Sequence, residues 1–193
     1  MVNKIIYIIL SYLLGAIPFA YIITKLIKNV DIRNVNSGNV GTTNVIRTSG
    51  IYSGILTLIL DVSKGVIAIY FARFINSSLI FISLVTIFVI LGHMYSIFIN
   101  FNGGKGVATT LGVFIVLTFI PTVVSVLIFI IIFIIFRYVS LASIIASISL
   151  PIILWLMNYN IKLVLLAILV CVFIILKHKD NIKRLFKNSE YKF

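Results

Sequence analysis

No charged residue occurs between Lys105 and Arg137 of this chain, and Val, Ile, Leu and Phe dominate the interval. A run of this kind is stable only where water is excluded from all its sides. Comparable runs extend from Ile5 to Ile23 and from Leu79 to Leu91, and one helical crossing of a bilayer takes about 20 apolar residues. Hydrophobic residues make up 62% of the chain and charged ones 10%, with a mean hydropathy of +1.24, so lipid is the solvent for most of it. The first run has the greasy character of a secretory signal. It lacks a small-residue cleavage site, however, and contains Pro18, Tyr21 and Thr24. The expected architecture is all-α: a polytopic membrane helical bundle forming a single domain over residues 1–193.

The formal charge of +12 raises the question of a nucleic-acid partner. The basic residues sit at the ends of apolar runs, where they fix membrane orientation, so nucleic-acid binding is not expected. The single Cys171 lies inside an apolar run, which excludes an intramolecular disulfide and points to packing. No metal-ligating cluster is visible, and neither a metal nor a cofactor is expected.

Spans are expected near residues 3–24, 51–73, 78–99, 107–121, 122–136, 139–157 and 161–177. The segment 107–136 is too long for one comfortable crossing and short for two, with Pro121 as the natural break. Charge parity favours two. Twelve of the sixteen Lys and Arg then share one face, in the loops that hold Lys25 to Arg47, Lys105, Arg137 and the basic tail from Lys177. A single crossing would put Arg137 and the tail opposite the first loops, against the charge rule. Seven transmembrane helices follow, with the N-terminus outside and the C-terminus cytoplasmic.

Three polar segments differ from plain connectors. The first, Ser37-Gly38-Asn39-Val40-Gly41-Thr42-Thr43-Asn44, leads to Arg47. Glycines allow backbone N–H groups to turn toward an anion, hydroxyls and amides add neutral donors, and Arg supplies a bidentate fork. The same residue types build ordinary turns, but so dense a run beside Arg47 favours an anion site. The second places Gly103, Gly104 and Gly106 around Lys105 before a helix whose N-terminal dipole attracts phosphate. It is not a nucleotide loop: Ile99 stands where a P-loop needs its first Gly, and Gly106 where it needs Ser or Thr. The third, His178-Lys179-Asp180-Asn181, follows the last span, with His178 and Asn181 on one face of a continuing helix. It reads either as a membrane-surface tail or as a phosphate-facing segment in which imidazole donates or takes a proton.

Polar residues also occur within the spans. Asp61 and Lys64, three apart, are expected to neutralise one another. Ser140, Ser143 and Ser147 form a helical stripe suited to helix packing, with Ser143 close enough to the cytoplasmic end to meet a substrate. His93 is expected to be a satisfied interhelical partner rather than a catalyst. These residues alone leave acyl transfer, phosphoryl transfer and lipid-phosphate binding open.

The ordered motifs resemble the acyl-phosphate-dependent glycerol-3-phosphate acyltransferases of bacteria, the PlsY family. The likeness covers nearly the whole chain: Ser11-Tyr12-Leu13-Leu14-Gly15-Ala16-Ile17-Pro18, the three loops in order, Asp61-Val62-Ser63-Lys64-Gly65, and Arg137 to Ser143. Ala16, Thr42, Ser96 and Asn188 depart from the usual Ser, Ala, Pro and Gly. The resemblance implies transfer of a fatty acyl group from acyl phosphate to glycerol 3-phosphate, giving 1-acylglycerol 3-phosphate and inorganic phosphate. It also implies a multi-pass protein of the bacterial cytoplasmic (inner) membrane with its site facing the cytoplasm. By the same resemblance, Ser37, Arg47, Lys105, Ser143, His178 and Asn181 would hold glycerol 3-phosphate. Gly38, Asn39, Gly41, Thr42, Thr43 and Asn44 would hold the donor phosphate, and Gly103, Gly104 and Gly106 would let Lys105 approach closely. Of these, Ser37, Arg47, Lys105, His178 and Asn181 are the expected catalytic set. The proton of the attacking hydroxyl would pass to the donor's own phosphate in that family, with His178 the alternative base.

Other chemistries fit less well. A His-x4-Asp acyltransferase motif is absent, because Phe98 follows His93 at that distance and Lys183 follows His178. Ser37 is flanked by Val35 and Asn39 two residues away, not by the glycines of a hydrolase elbow. A transporter for a phosphorylated metabolite would carry related halves and a midplane site. No internal repeat is seen here.

Overall fold

The computed structural model describes residues 2–193, and among them the only regular secondary structure is helical. It packs as two compact units, one up to Val116 and one from Leu117.

The first unit opens with α1 (Val2–Ala16) and α2 (Phe19–Lys28). They are divided at Ile17 and Pro18, because proline has no N–H to continue the ladder and disfavours helix in the residue before it. Together they make one apolar stretch, Val2–Lys28, long enough to cross a membrane. A 3-10 turn at Ile32–Asn34 leads into the short α3 (Thr42–Ser49), so part of the first polar loop is itself helical. The long α4 (Ile51–Ile75) follows directly after Gly50. Next comes α5 (Leu79–Met94), whose first turn is capped by Ser78 Oγ accepting the Phe81 N–H. The unit ends with α6 (Val107–Leu117). Small residues let these helices approach backbone to backbone: Gly15 of α1 lies against Val89 of α5, and Gly92 of α5 against the Tyr12 carbonyl. Likewise Gly65 of α4 abuts the Thr109 carbonyl, and Gly112 of α6 abuts that of Val62.

The second unit consists of α7 (Phe119–Phe136), α8 (Val139–Leu156), α9 (Ile161–Lys177) and the short α10 (Lys179–Phe186). Ser149 of α8 donates to Ser125 of α7 at 3.4 Å, and Cys171 of α9 to Ser147 of α8 at 3.8 Å. Cys171 is buried, in keeping with a packing role.

One expected boundary moves. The helix break falls at Thr118 rather than Pro121, and Pro121 lies in the first turn of α7. Proline is at home there, since the first N–H groups of a helix have no intrahelical partner to lose. Among the described residues, five helical stretches are long and apolar enough to cross a membrane, or six if α9 and α10, bent by 61°, count as one. At 11 residues, α6 rises only about 16 Å.

Candidate active site

In the first unit the polar loop before α3 is shaped by its own backbone demands. Gly38 has φ of +67°, a left-handed conformation, and a side chain there would press on the Arg33 carbonyl. Asp31 caps the preceding turn by accepting the Arg33 N–H and holds the Arg33 guanidinium through a bond of 2.6 Å. That hydrogen bond keeps the Asp31 carboxyl below the usual carboxylate range. Gly41 precedes α3 without a side-chain cap, so the backbone N–H groups of the first turn point outward beside Thr42 and Thr43. Arg47 sits in the last turn of α3, half-buried, as are Ser37, Gly41, Thr42 and Thr43.

Asn44 behaves differently from its neighbours. It is buried, and its amide nitrogen donates to the carbonyls of Ile32, Val35 and Asn39 at 3.0–3.2 Å. The side chain ties the loop together from inside.

The second loop lies against the first. Gly104 is buried, and a Cβ on it would strike the Val40 carbonyl and His93 Nε2. Its N–H donates to the His93 carbonyl at 3.0 Å. Gly103 likewise fits against that carbonyl only because it has no side chain. The glycines thus serve close approach as much as flexibility. Lys105 is half-buried between them and α6.

Below this loop Asp61 and Lys64 pair at 2.7 Å, both 2% exposed, as their spacing predicts. His93 joins them, its Nδ1 3.6 Å from the same Asp61 oxygen. The sequence shows the pair but not the third member, because contact between α4 and α5 is tertiary. An apolar groove of about 380 Å³ opens nearby, lined by Ile17, Pro18, Tyr21, Ile22, Phe98 and Ile99.

In the second unit Ser140 and Ser143 are buried in the first turns of α8, and Ser143 Oγ donates to the Val139 carbonyl at 2.8 Å. His178 marks the bend between α9 and α10 and is 2% exposed. Its Nδ1 lies 2.8 Å from the Ile174 carbonyl. A carbonyl only accepts, so Nδ1 carries a hydrogen and donates it there.

Glu190, which the sequence reading passed over, organises this region. Its Oε1 accepts from Asn181 Nδ2 at 2.7 Å and Ser140 Oγ at 3.1 Å, and its Oε2 accepts from Arg184 Nε at 2.8 Å. The available signal was a carboxylate, one of two with Asp180 in a basic tail, placed two residues after Asn188. Asn188 adopts the left-handed conformation, φ of +51°, as its replacement of a glycine implied, and the turn folds Glu190 back.

Residues 5–188 match the family model for glycerol-3-phosphate acyltransferase. A protein of that description from Endomicrobium trichonymphae is 47% identical over 192 residues, covering 100% of this chain and 96% of its own. Another from Carboxydothermus hydrogenoformans is 42% identical over 187 residues, covering 95% of this chain and 93% of its own. The crystal structure of PlsY (YgiH), an integral membrane glycerol 3-phosphate acyltransferase, in its glycerol 3-phosphate form is similar with a TM-score of 0.94. Identity to it is 41%, over 99% of this chain and 96% of that one. The lysophosphatidic acid form of PlsY gives a TM-score of 0.90 at 39% identity, over 99% of this chain and 95% of that one. With its motifs, its helical fold and these relatives in agreement, the chain belongs to the glycerol-3-phosphate acyltransferase family.

Proposed function

We propose that this chain transfers a fatty acyl group from acyl phosphate to glycerol 3-phosphate at the cytoplasmic face of a bacterial inner membrane. The observation that carries the reading is the contact of Gly104 with Val40, which sets the Lys105 loop against the loop leading to Arg47. Two phosphate-bearing substrates call for this pairing of cationic, donor-rich loops. Arg47, Lys105 and Ser37 hold glycerol 3-phosphate, and so do Ser143, His178 and Asn181 by the resemblance of their motifs. The outward N–H groups of α3, with Gly38, Asn39, Gly41, Thr42 and Thr43, hold the donor phosphate. Asn44 serves the same site by fixing the loop's shape. The apolar groove beside Pro18 and Ile99 suits the acyl tail, with about 380 Å³ and a mostly apolar lining.

The chemistry asks little acid or base of the protein. An acyl phosphate is a mixed anhydride: the glycerol hydroxyl oxygen bonds to the acyl carbon, and the bond from that carbon to the bridging oxygen breaks. Inorganic phosphate leaves with the electron pair and takes the hydroxyl proton. The protein positions two anions and stabilises charge at the carbonyl. His178 orients the attacking glycerol hydroxyl.

The test is release of inorganic phosphate from acyl phosphate by purified protein in detergent. Release that depends on glycerol 3-phosphate and persists in EDTA is expected. Uptake of glycerol 3-phosphate into vesicles without such release would favour a transporter. H178Q separates the two proton routes: raised KM with residual kcat fits orientation, whereas lost kcat with both KM values unchanged would make His178 the base.

A further inference from the structure

Beneath the second loop the first unit buries three ionisable side chains that the reaction does not use. Asp61 and Lys64 pair on α4, and His93 from α5 reaches the same carboxylate oxygen. Lys64 Nζ also lies 4.9 Å from the centroid of the Phe19 ring. The small space alongside, which Asp61, Lys64, His93 and Gly104 help to line, is about 10 Å³. That is near the limit for one water, so neither substrate fits there. The influence of the cluster is exerted outward. His93 Nε2 is flush against Gly104, and the His93 carbonyl accepts the Gly104 N–H at 3.0 Å. The Asp61 carbonyl accepts the Thr109 hydroxyl at 3.1 Å, in the first turn of α6. Both ends of the segment that carries Lys105 therefore rest on the helix turns that hold Asp61 and His93, through their backbone carbonyls and, at Gly104, through the imidazole itself.

We propose that Asp61, Lys64 and His93 form a positioning triad that sets the height of the Gly103–Gly106 loop and so places the Lys105 ammonium for glycerol 3-phosphate. Asp61 orients the imidazole, the imidazole supports Gly104, and Lys64 neutralises the carboxylate where a lone charge is costly. The proposal rests on Lys105 being a glycerol 3-phosphate ligand.

A structural ion pair and a positioning triad differ in what happens when both charges go. D61N/K64M removes them at similar volume and escapes the stranded ammonium of D61N alone. Purified D61N/K64M, H93A, H93N and K105A are compared with the wild type by thermal unfolding and by phosphate release with each substrate varied. D61N/K64M is expected to keep the wild-type melting temperature but raise KM for glycerol 3-phosphate about ten- to a hundredfold, the scale of an ångström-sized misplacement. KM for acyl phosphate stays near the wild-type value. H93A shows the same change, and H93N, which keeps a donor for Asp61, restores part of it. Wild-type KM in D61N/K64M, or in both His93 variants should the double variant not fold, overturns the triad while leaving the Lys105 reading intact. Unchanged KM for glycerol 3-phosphate in K105A overturns the Lys105 reading, and the triad with it.

Discussion

Asn44 and Arg47 stand three residues apart on α3, yet they do different work. The Asn44 amide is committed to three carbonyls of the loop that enters its helix. N44A removes those bonds and should cost about 1–3 kcal/mol of stability, read from denaturant unfolding in detergent. N44D should cost more, because a carboxylate cannot donate to three carbonyl oxygens. R47K keeps the charge but loses the planar fork, so it should raise KM for glycerol 3-phosphate about tenfold with an unchanged melting temperature. Asp31 gives a pH signature. The Arg33 hydrogen bond lowers its folded pKa, so the stabilisation is full above the unfolded value of about 3.9 and is lost as pH falls through the lower folded one. D31N should therefore melt slightly below the wild type at pH 7, and the difference should vanish in acid below that window.

The tail shows the most information per residue among the elements. α10 is only eight residues long, too short to hold itself together. It is fastened by Glu190, which the turn at Asn188 brings back to Asn181, Arg184 and Ser140. E190A leaves those donors without their acceptor and should destabilise by about 2–3 kcal/mol, measured by unfolding. N188G, by contrast, suits the left-handed φ and should change stability by less than about 1 kcal/mol. The break at Thr118 belongs to this scale as well. Proline disrupts a helix interior but not its first turn, so Pro121 marks a start where the sequence reading took it for a stop.

At the scale of the whole molecule, the helices sort into crossings by length and charge. With the stretch Val2–Lys28 taken as one span and the short α6 as another, we propose seven, with the termini on opposite sides. The charge distribution supports this arrangement, and a short span is tolerated where the bilayer thins around it. In a C171S background, a cysteine replacing Lys192 should be shielded from a membrane-impermeant maleimide in intact cells and labelled after permeabilisation. A cysteine replacing Lys4 should be labelled in both. Equal labelling of the two in intact cells would require an even number of crossings.

Much of this was legible without coordinates, for a physical reason. Lipid offers a backbone no hydrogen-bonding partner, so long uncharged runs had to be helices, and small residues at fixed spacing had to be where they pack. The Asp61–Lys64 pair is local, set by residues within one turn of each other, and so is the donor-rich composition of the two glycine-bearing loops. What the sequence could not show depends on chain segments far apart along it: His93 beside Asp61, Val40 against Gly104, and the carboxylate of Glu190 between Ser140 and Asn181. Nor could it separate Asn44 from the other polar residues of its loop, since an amide donates equally well to a phosphate and to a carbonyl. Only the tertiary structure, by placing three carbonyls around that nitrogen, decided which it does.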